Sequence, residues 1–476
     1  MLSKAVDFMK SEGVEYSEAR YHRLELFEIV AQNGKLMSVS TSIREGFAAR
    51  VFYRGSMGFA SSPGVTRSAL FSAAKRAVSQ AKATPSKLSP GYRLSNDRLG
   101  YARVIAGVKK PFDSLSLEEK LELIVKGIYD TVTNSLKEAK LASLAVHYVE
   151  FFEEKEIVNS DGGWVYSLIP RVGVDVLITI HHPSKGTLQR WLELGGVGGL
   201  ELLKEWDLEN MLTNEVSRLE KVLLEGVEPP KEKIPVILGS EVVGLIVHES
   251  AGHPMEADRI LGREAAQAGL SFVKPDMIGA YRIGNEQATV IDDPTIPGSF
   301  GFYLYDDETV PARPRYIYRE GLLNEPLQSR WTAPLFNTSS NAAARALDYA
   351  SEPIVRMANT YLEPGDWRFE ELLEEARNGI YIRTYMEWNI DDVRWGQRYI
   401  GLEAYLVEKG ELGRPVRNPV IEFTTKEFYS SIRAKSRNLR FYAAFCGKGE
   451  PMQGIPVWLG GPEVLLEPMK VEVAPK

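Results

Sequence analysis

Apolar and polar residues follow two rhythms along this chain, and the switch between them outlines its elements. From Glu28 to Met37 an Asn33-Gly34 pair separates two β-rich runs, the pattern of a hairpin with a type I′ turn. Val51 to Phe59, around Arg54-Gly55, reads as a second hairpin. Ser68 to Ala83 then places alanines and apolar residues at helical spacing. Ser116-Leu117-Glu118-Glu119 is a capping box opening a helix whose apolar side carries Leu121, Ile124, Val125 and Ile128. Strands are predicted around Ala142 to Phe152 and Arg171 to Ile180, and a helix over Leu202 to Leu224.

Glu228-Pro229-Pro230-Lys231-Glu232-Lys233 breaks the rhythm as a charged, proline-rich linker. Beyond it the pattern predicts a strand over Ile234 to Leu238, Ser240 as an N-cap, and a helix from Glu241. Hairpins follow over Arg315 to Leu323 and Glu403 to Val416, with one helix capped by Asp366 and ended by Gly379. The expectation is an α+β protein. Residues 1–226 form a mixed domain of hairpins and helices, and residues 234–476 a β-rich, barrel-like domain carrying the helix at Glu241.

That helix runs into His248-Glu249-Ser250-Ala251-Gly252-His253. The chain has six histidines, so two within six residues, bracketing a carboxylate, draw attention to metal chemistry. Imidazoles are common zinc ligands, and a neighbouring Glu can act as base toward water. The motif differs from HExxH by one extra residue. On a regular helix, positions five apart lie about 140° apart and cannot share one ion comfortably. A π-type turn or an unwound last turn is therefore predicted, with His248 on the last regular turn and His253 on a distorted end. Gly252 and Pro254 favour that distortion.

A zinc site open to water needs a third protein ligand. Cys446 is the single cysteine, and Phe445-Cys446-Gly447-Lys448-Gly449 reads as a glycine-rich loop beside a cation. From the residues alone Cys446 is either that ligand or an inert buried thiol.

His-Glu-x-x-x-His with a late Cys-Gly-Lys segment resembles the TldD/PmbA family of metallopeptidases, and within it the TldD branch, which keeps the metal motif. Similar stretches include Asp292-Asp293-Pro294 with Gly298, Arg356 to Tyr361 with Pro364-Gly365, Gly401 to Gly410, and the glycine-rich hairpins of Gly46 to Ala60. The resemblance implies Zn²⁺ held by His248, His253 and Cys446, with Glu249 as general base in peptide hydrolysis. It also implies short or unfolded peptides as substrates, bound as an added strand, and a homodimer or a heterodimer with a metal-free TldE/PmbA-type paralogue. Family members have been described as gyrase modulators, so the rival expectation is a regulatory or binding protein with a structural metal. A second enzyme reading makes Cys446 a nucleophile paired with a histidine.

Composition narrows the field. With 44% hydrophobic and 25% charged residues the profile is that of a globular protein, and a net charge of −7 without a basic stripe argues against nucleic acid as the main partner. One cysteine excludes an internal disulfide framework, no run approaches the ~18 apolar residues of a membrane span, and cytoplasm is the expected location.

Other candidates read more plainly. His181-His182 are neighbours on a strand and point to opposite faces, so they read as structural or as a rim contact for substrate. Asp292, Asp293, Asp306 and Asp307 read as solvated turns, although any of them, or Glu256 or Asp258, could orient a ligating imidazole. Trp367, Trp388 and Trp395 read as core, and Gly195 to Gly199 as a flexible loop.

Overall fold

The computed structural model describes residues 1–84, 91–264 and 269–474. Its N-terminal half is organised by seven strands: β1 (Tyr16–Gln32), β2 (Lys35–Tyr53), β3 (Ser56–Pro63), β4 (Tyr101–Ile105), β5 (Lys140–Asn159), β6 (Trp164–His182) and β7 (Gly186–Val197). They make one twisted sheet in the order β3-β2-β1-β5-β6-β4, with β7 also on β6. The Asn33-Gly34 hairpin forms as predicted, because both residues take positive φ (51° and 72°), as a type I′ turn requires. Its strands, however, run far beyond the apolar run that signalled them.

Helices Leu2–Ser11 and Arg67–Ala83 bury Leu2, Met9, Leu70 and a stripe of alanines against one part of the sheet. The Ser116–Glu119 capping box forms and opens the helical stretch 117–135, which covers another part together with helix Leu208–Glu225. The helix expected over Leu202 to Leu224 is broken. Asp207 adopts φ 48°, and separate helices Glu201–Glu205 and Leu208–Glu225 meet there. The Gly195 to Gly199 run is a second correction. Gly195 and Gly196 belong to β7, where a Cβ on Gly195 would meet the Phe300 ring at 2.8 Å. The glycines admit a ring rather than confer flexibility.

Strand β8 (Lys233–Leu238) leads straight into helix Ser240–Val247. β8 is central in a six-stranded sheet that also holds the hairpin of Ala404–Glu408 and Glu411–Val416. A second six-stranded sheet includes Arg315–Arg319, Asn359–Leu362, Arg440–Lys448 and Gln453–Gly461. These sheets are open rather than closed into a barrel. The helix is buried on every side, as its apolar run from Val242 to Val247 demands.

Several caps fall elsewhere than the pattern suggested. Gly239, not Ser240, is the N-cap of the motif helix. The later helix is Phe369–Ala376, started by Arg368, whose N–H donates to the Glu371 carboxylate, and ended by Arg377 at φ 52°. Asp366 and Gly379 lie outside it. Trp388 is exposed and Trp367 and Trp395 are half-buried, so none of the three is fully core.

Charge pairs and main-chain contacts tie the N-terminal sheet to the rest. Arg190 of β7 makes a bidentate pair with Glu241 of the motif helix at 2.6 and 2.7 Å. Arg171 donates to the carbonyls of Phe300 and Phe302, and Lys155 pairs with Asp307 at 2.9 Å. Asp292, Asp306 and Asp307 are therefore buried partners, not solvated turns. Asp292 alone receives Arg315, the Ala358 N–H and the Thr360 hydroxyl.

Candidate metal centre

The motif helix stays regular through Val247, and the His248 N–H still donates to Gly244 O. The next turn widens. His253 N–H returns to His248 O, an i to i+5 bond, so 248–252 form a single π-turn before a 3₁₀ turn at His253–Met255. One inserted residue is thereby absorbed, and both imidazoles face the same side. Their rings sit 4.9 Å apart at 80°. Gly252 is required at this point because a Cβ there would lie 1.9 Å from Met357 Sδ.

Cys446 reaches them from a strand, not from a loop. It lies on Arg440–Lys448, opposite Ile455 in the antiparallel ladder with Gln453–Gly461. The motif helix packs directly on that ladder. A Cβ on Gly244 would meet Gly460 N at 3.0 Å, so glycine lets the helix approach the strand backbone. The helix is thus in van der Waals contact with the strand that pairs with the cysteine strand, which is how residues nearly two hundred positions apart converge.

The ligating atoms of His248, His253 and Cys446 all lie within 4.8 Å of one another, the only such convergence of three His, Cys, Asp or Glu residues among the described residues. Cys446 Sγ is 3.5 Å from His253 Nε2. Zinc bonds of about 2.3 Å to sulfur and 2.0–2.1 Å to nitrogen, set tetrahedrally, separate the two donors by about 3.5 Å. The donor set fits zinc. In addition, His248 Nδ1 is buried and has no hydrogen-bond partner among the described residues.

Electrostatics prepares each donor. Burial holds both imidazoles below their ordinary value, His253 strongly so, which keeps them neutral with a lone pair to give. Burial pushes the Cys446 thiol up, but His253 and Arg356 beside it prevail and hold it at about 7. Arg356 also donates to the Cys446 and Gln453 carbonyls, fastening the hairpin.

Behind His253 stands Glu256, whose Oε2 is 3.0 Å from Nδ1. Burial alone would raise this carboxyl; Lys448, Arg259 and Arg356 bring it below the usual range instead. An ionised carboxylate only accepts, so Nδ1 carries the proton and Nε2 is left for a metal. Lys448 is itself fully buried between Glu256 at 3.3 Å and Asp258 at 2.6 Å. Of the orienting groups weighed from sequence, Glu256 takes the part directly.

Glu249 pairs through Oε2 with Arg394, on the turn between strands Tyr385–Ile390 and Gly396–Gly401. Arg394 is nearly buried and holds a positive φ of 67°. Nothing in the sequence pointed to it, since no spacing links positions 249 and 394. Arg259 was more accessible, lying three residues after Glu256 with helical reach. His181 and His182 lie at the end of β6, their rings hydrogen-bonded to Thr187 and Ser184, outside this centre.

Known proteins are similar to this chain over most of its length. Residues 231–473 match the PmbA/TldA metallopeptidase C-terminal domain, 110–224 its central domain and 17–81 its domain 1. A metalloprotease of Methanocaldococcus jannaschii is 31% identical over 94% of this chain and 95% of its own length. A zinc metalloprotease TldD homologue of Saccharolobus solfataricus is 26% identical over 96% and 97%. Among solved structures, TldE from Thermococcus kodakarensis has the same fold, with TM-score 0.75, 16% identity and 99% of both chains covered. A putative modulator of a DNA gyrase from Thermotoga maritima superposes with TM-score 0.74 at 18% identity, covering 98% of each. No described helix is long and apolar enough to cross a membrane. With three domain matches along its length and a relative of this closeness, the chain belongs to the PmbA/TldD family of metallopeptidases.

Proposed function

We propose that the protein is a zinc peptidase acting on short or unfolded polypeptides, and that His248, His253 and Cys446 hold the metal. The convergence of two neutral imidazoles and one acidified thiol carries this reading. When bound, zinc supplies Lewis acidity, polarising a carbonyl and acidifying water toward neutral pH. The chain's own groups do the rest. Glu256 fixes the His253 ring and its tautomer. Glu249 offers Oε1, which carries no protein hydrogen bond among the described residues, to take the proton from attacking water and return it to the leaving amine. Arg394 holds the other oxygen and so fixes the direction of the carboxylate.

Substrate is proposed to bind as an added strand, because main-chain hydrogen bonds tolerate varied sequences. The proposed assembly is a dimer, with a second copy or with a metal-free paralogue. A regulatory protein with a structural metal would want a fourth protein ligand, and among the described residues no further His, Cys, Asp or Glu joins the three. Metal analysis and peptide digestion, with and without a chelator, test the proposal. One zinc per chain and activity lost with the metal are expected. Activity that survives complete metal removal would instead favour Cys446 as a nucleophile.

A further inference from the structure

The N-terminal sheet leaves half of β2 uncovered on its outer side. Strand β3 pairs with β2 only from Gly46 onward, and Gly64 N–H donates to Glu45 O just before it. From Lys35 to Arg44 β1 holds one edge of the strand, and no described strand lies on the other. Main-chain groups alternate in direction along a strand. Because the Glu45 carbonyl points outward to Gly64, Val39, Thr41 and Ile43 also turn their N–H and C=O outward, with no strand to receive them among the described residues.

Open edges are normally guarded by charge or proline. Here eight residues in a row, Leu36-Met37-Ser38-Val39-Ser40-Thr41-Ser42-Ile43, carry neither. The register with β1 slips at Met37, a β-bulge that ends the regular stretch. Val39 and Thr41 lie opposite Ile29 and Phe27, on the side that helices cover deeper in the sheet. Leu36, Met37, Val39 and Ile43 are nevertheless 36–61% exposed. The opposite face presents Ser38, Ser40 and Ser42.

Self-complementarity selects the occupant. The open edge runs from the turn at Gly34 to the first β3 pair at Gly46, and Ser40 is its midpoint. A second copy laid antiparallel about Ser40 covers this edge without overlapping β3. Each Ser40 then faces the partner's Ser40, Ser38 faces the partner's Ser42, and Val39 faces the partner's Thr41. Ile43 reaches the bulge at the partner's Met37. Serines let the backbones approach, no like charges meet, and the β-branched pairs suit a cross-strand contact. A peptide substrate needs only the open row of main-chain groups; the symmetry about Ser40 favours a copy of the same strand.

We infer that two copies of this chain associate by antiparallel pairing of β2 over Ser38 to Ser42, which joins their seven-stranded sheets across a two-fold axis at Ser40. The inference rests on the dimer reading above and gives it a surface. It is independent of the peptidase chemistry, since association is read without turnover.

Sedimentation of the full-length protein should show a dimer. Ser40→Lys sets two ammonium groups on the axis and should weaken association at least about tenfold, and Ser40→Asp should do the same with two carboxylates. An equal mixture of the two variants should restore a dimer containing one of each. Ser40→Cys should cross-link on oxidation, because residues paired on the axis stand about 4.5–5.5 Å apart at Cα. Ser38→Cys, about 14 Å from its own copy in this register, should not. Ser40 is exposed, so these changes leave the core intact. The inference is overturned, and the dimer reading spared, if the wild type dimerises but Ser40→Lys does so equally well, if the mixed variants fail to associate, or if Ser38→Cys cross-links as readily as Ser40→Cys. A wild type that stays monomeric overturns the inference and the homodimer together, leaving only pairing with a paralogue.

Discussion

Glu249 and Glu256 are both buried carboxylates on one short segment, and their different partners separate their roles. Glu249 keeps one oxygen without a protein partner among the described residues, so Glu249→Gln should retain zinc while lowering hydrolysis by about 10²–10⁴-fold, the usual worth of a general base. Metal content measured beside turnover checks this, and loss of zinc in that variant would make Glu249 structural instead. Glu256→Gln should act on the metal. It weakens the hold on His253 Nδ1 and leaves Lys448 and Arg259 buried beside a neutral amide. Zinc affinity is expected to fall about 10–100-fold, read by competition with a chromogenic chelator. Cys446→Ser should lose both zinc and activity. Full retention of both would remove the thiol from the ligand set.

At the scale of elements, what the sequence disclosed and what it hid divide by the range of the interaction. The turn at Asn33-Gly34, the capping box at Ser116 and the wide turn at His248 to His253 are set by neighbours within five residues, so residue type and spacing were enough to predict them. The strand carrying Cys446 was misread as a loop because Gly447 and Gly449 look like loop residues. Gly449 does make the hairpin turn, at φ 92°, but the ladder with Gln453–Gly461 decides the conformation of Cys446 itself. Arg394 beside Glu249 and the aspartates tied to Arg315 and Lys155 depend on packing between distant segments, which no local pattern encodes. The wide turn also carries a prediction. Gly252→Ala puts a methyl group into Met357 Sδ in a fully buried setting, and should cost about 1–3 kcal/mol and displace His253. Met357→Ala in the same chain should restore much of the melting temperature. If Gly252→Ala alone melts like the wild type and binds zinc normally, the close approach is not constraining.

Across the whole molecule, the two halves meet through buried charge, which makes stability depend on pH in a direction that can be worked out. His22 on β1 is fully buried with its Nε2 3.2 Å from Glu153, and burial dominates to hold its folded value below the ordinary 6.5. The unfolded chain therefore takes up a proton near pH 6.5 that the folded chain refuses. Stability is complete above that pH and declines as pH falls toward the folded value, by up to about 1.4 kcal/mol per pH unit for each such group. Glu153 extends the decline. Burial favours its neutral form, but Lys155 and Arg171 outweigh that and hold the carboxyl well below 4.5, so its stabilisation is present above 4.5 and lost below it. His147 works the other way. Asp175 and Glu28 raise its value against partial burial, so its contribution is present below 6.5 and lost as pH rises through the raised value. With His22 buried at the junction, His147 half-exposed, and His248 and His253 also held low by burial, the chelated protein should melt at progressively lower temperature from pH 7.5 to pH 5, and His22→Phe should make that slope shallower without abolishing it. Calorimetry on chelated wild type and variant measures both. A melting temperature independent of pH over that interval would mean that His22 accepts its proton without cost, and that the contact between the halves is looser than these buried pairs imply.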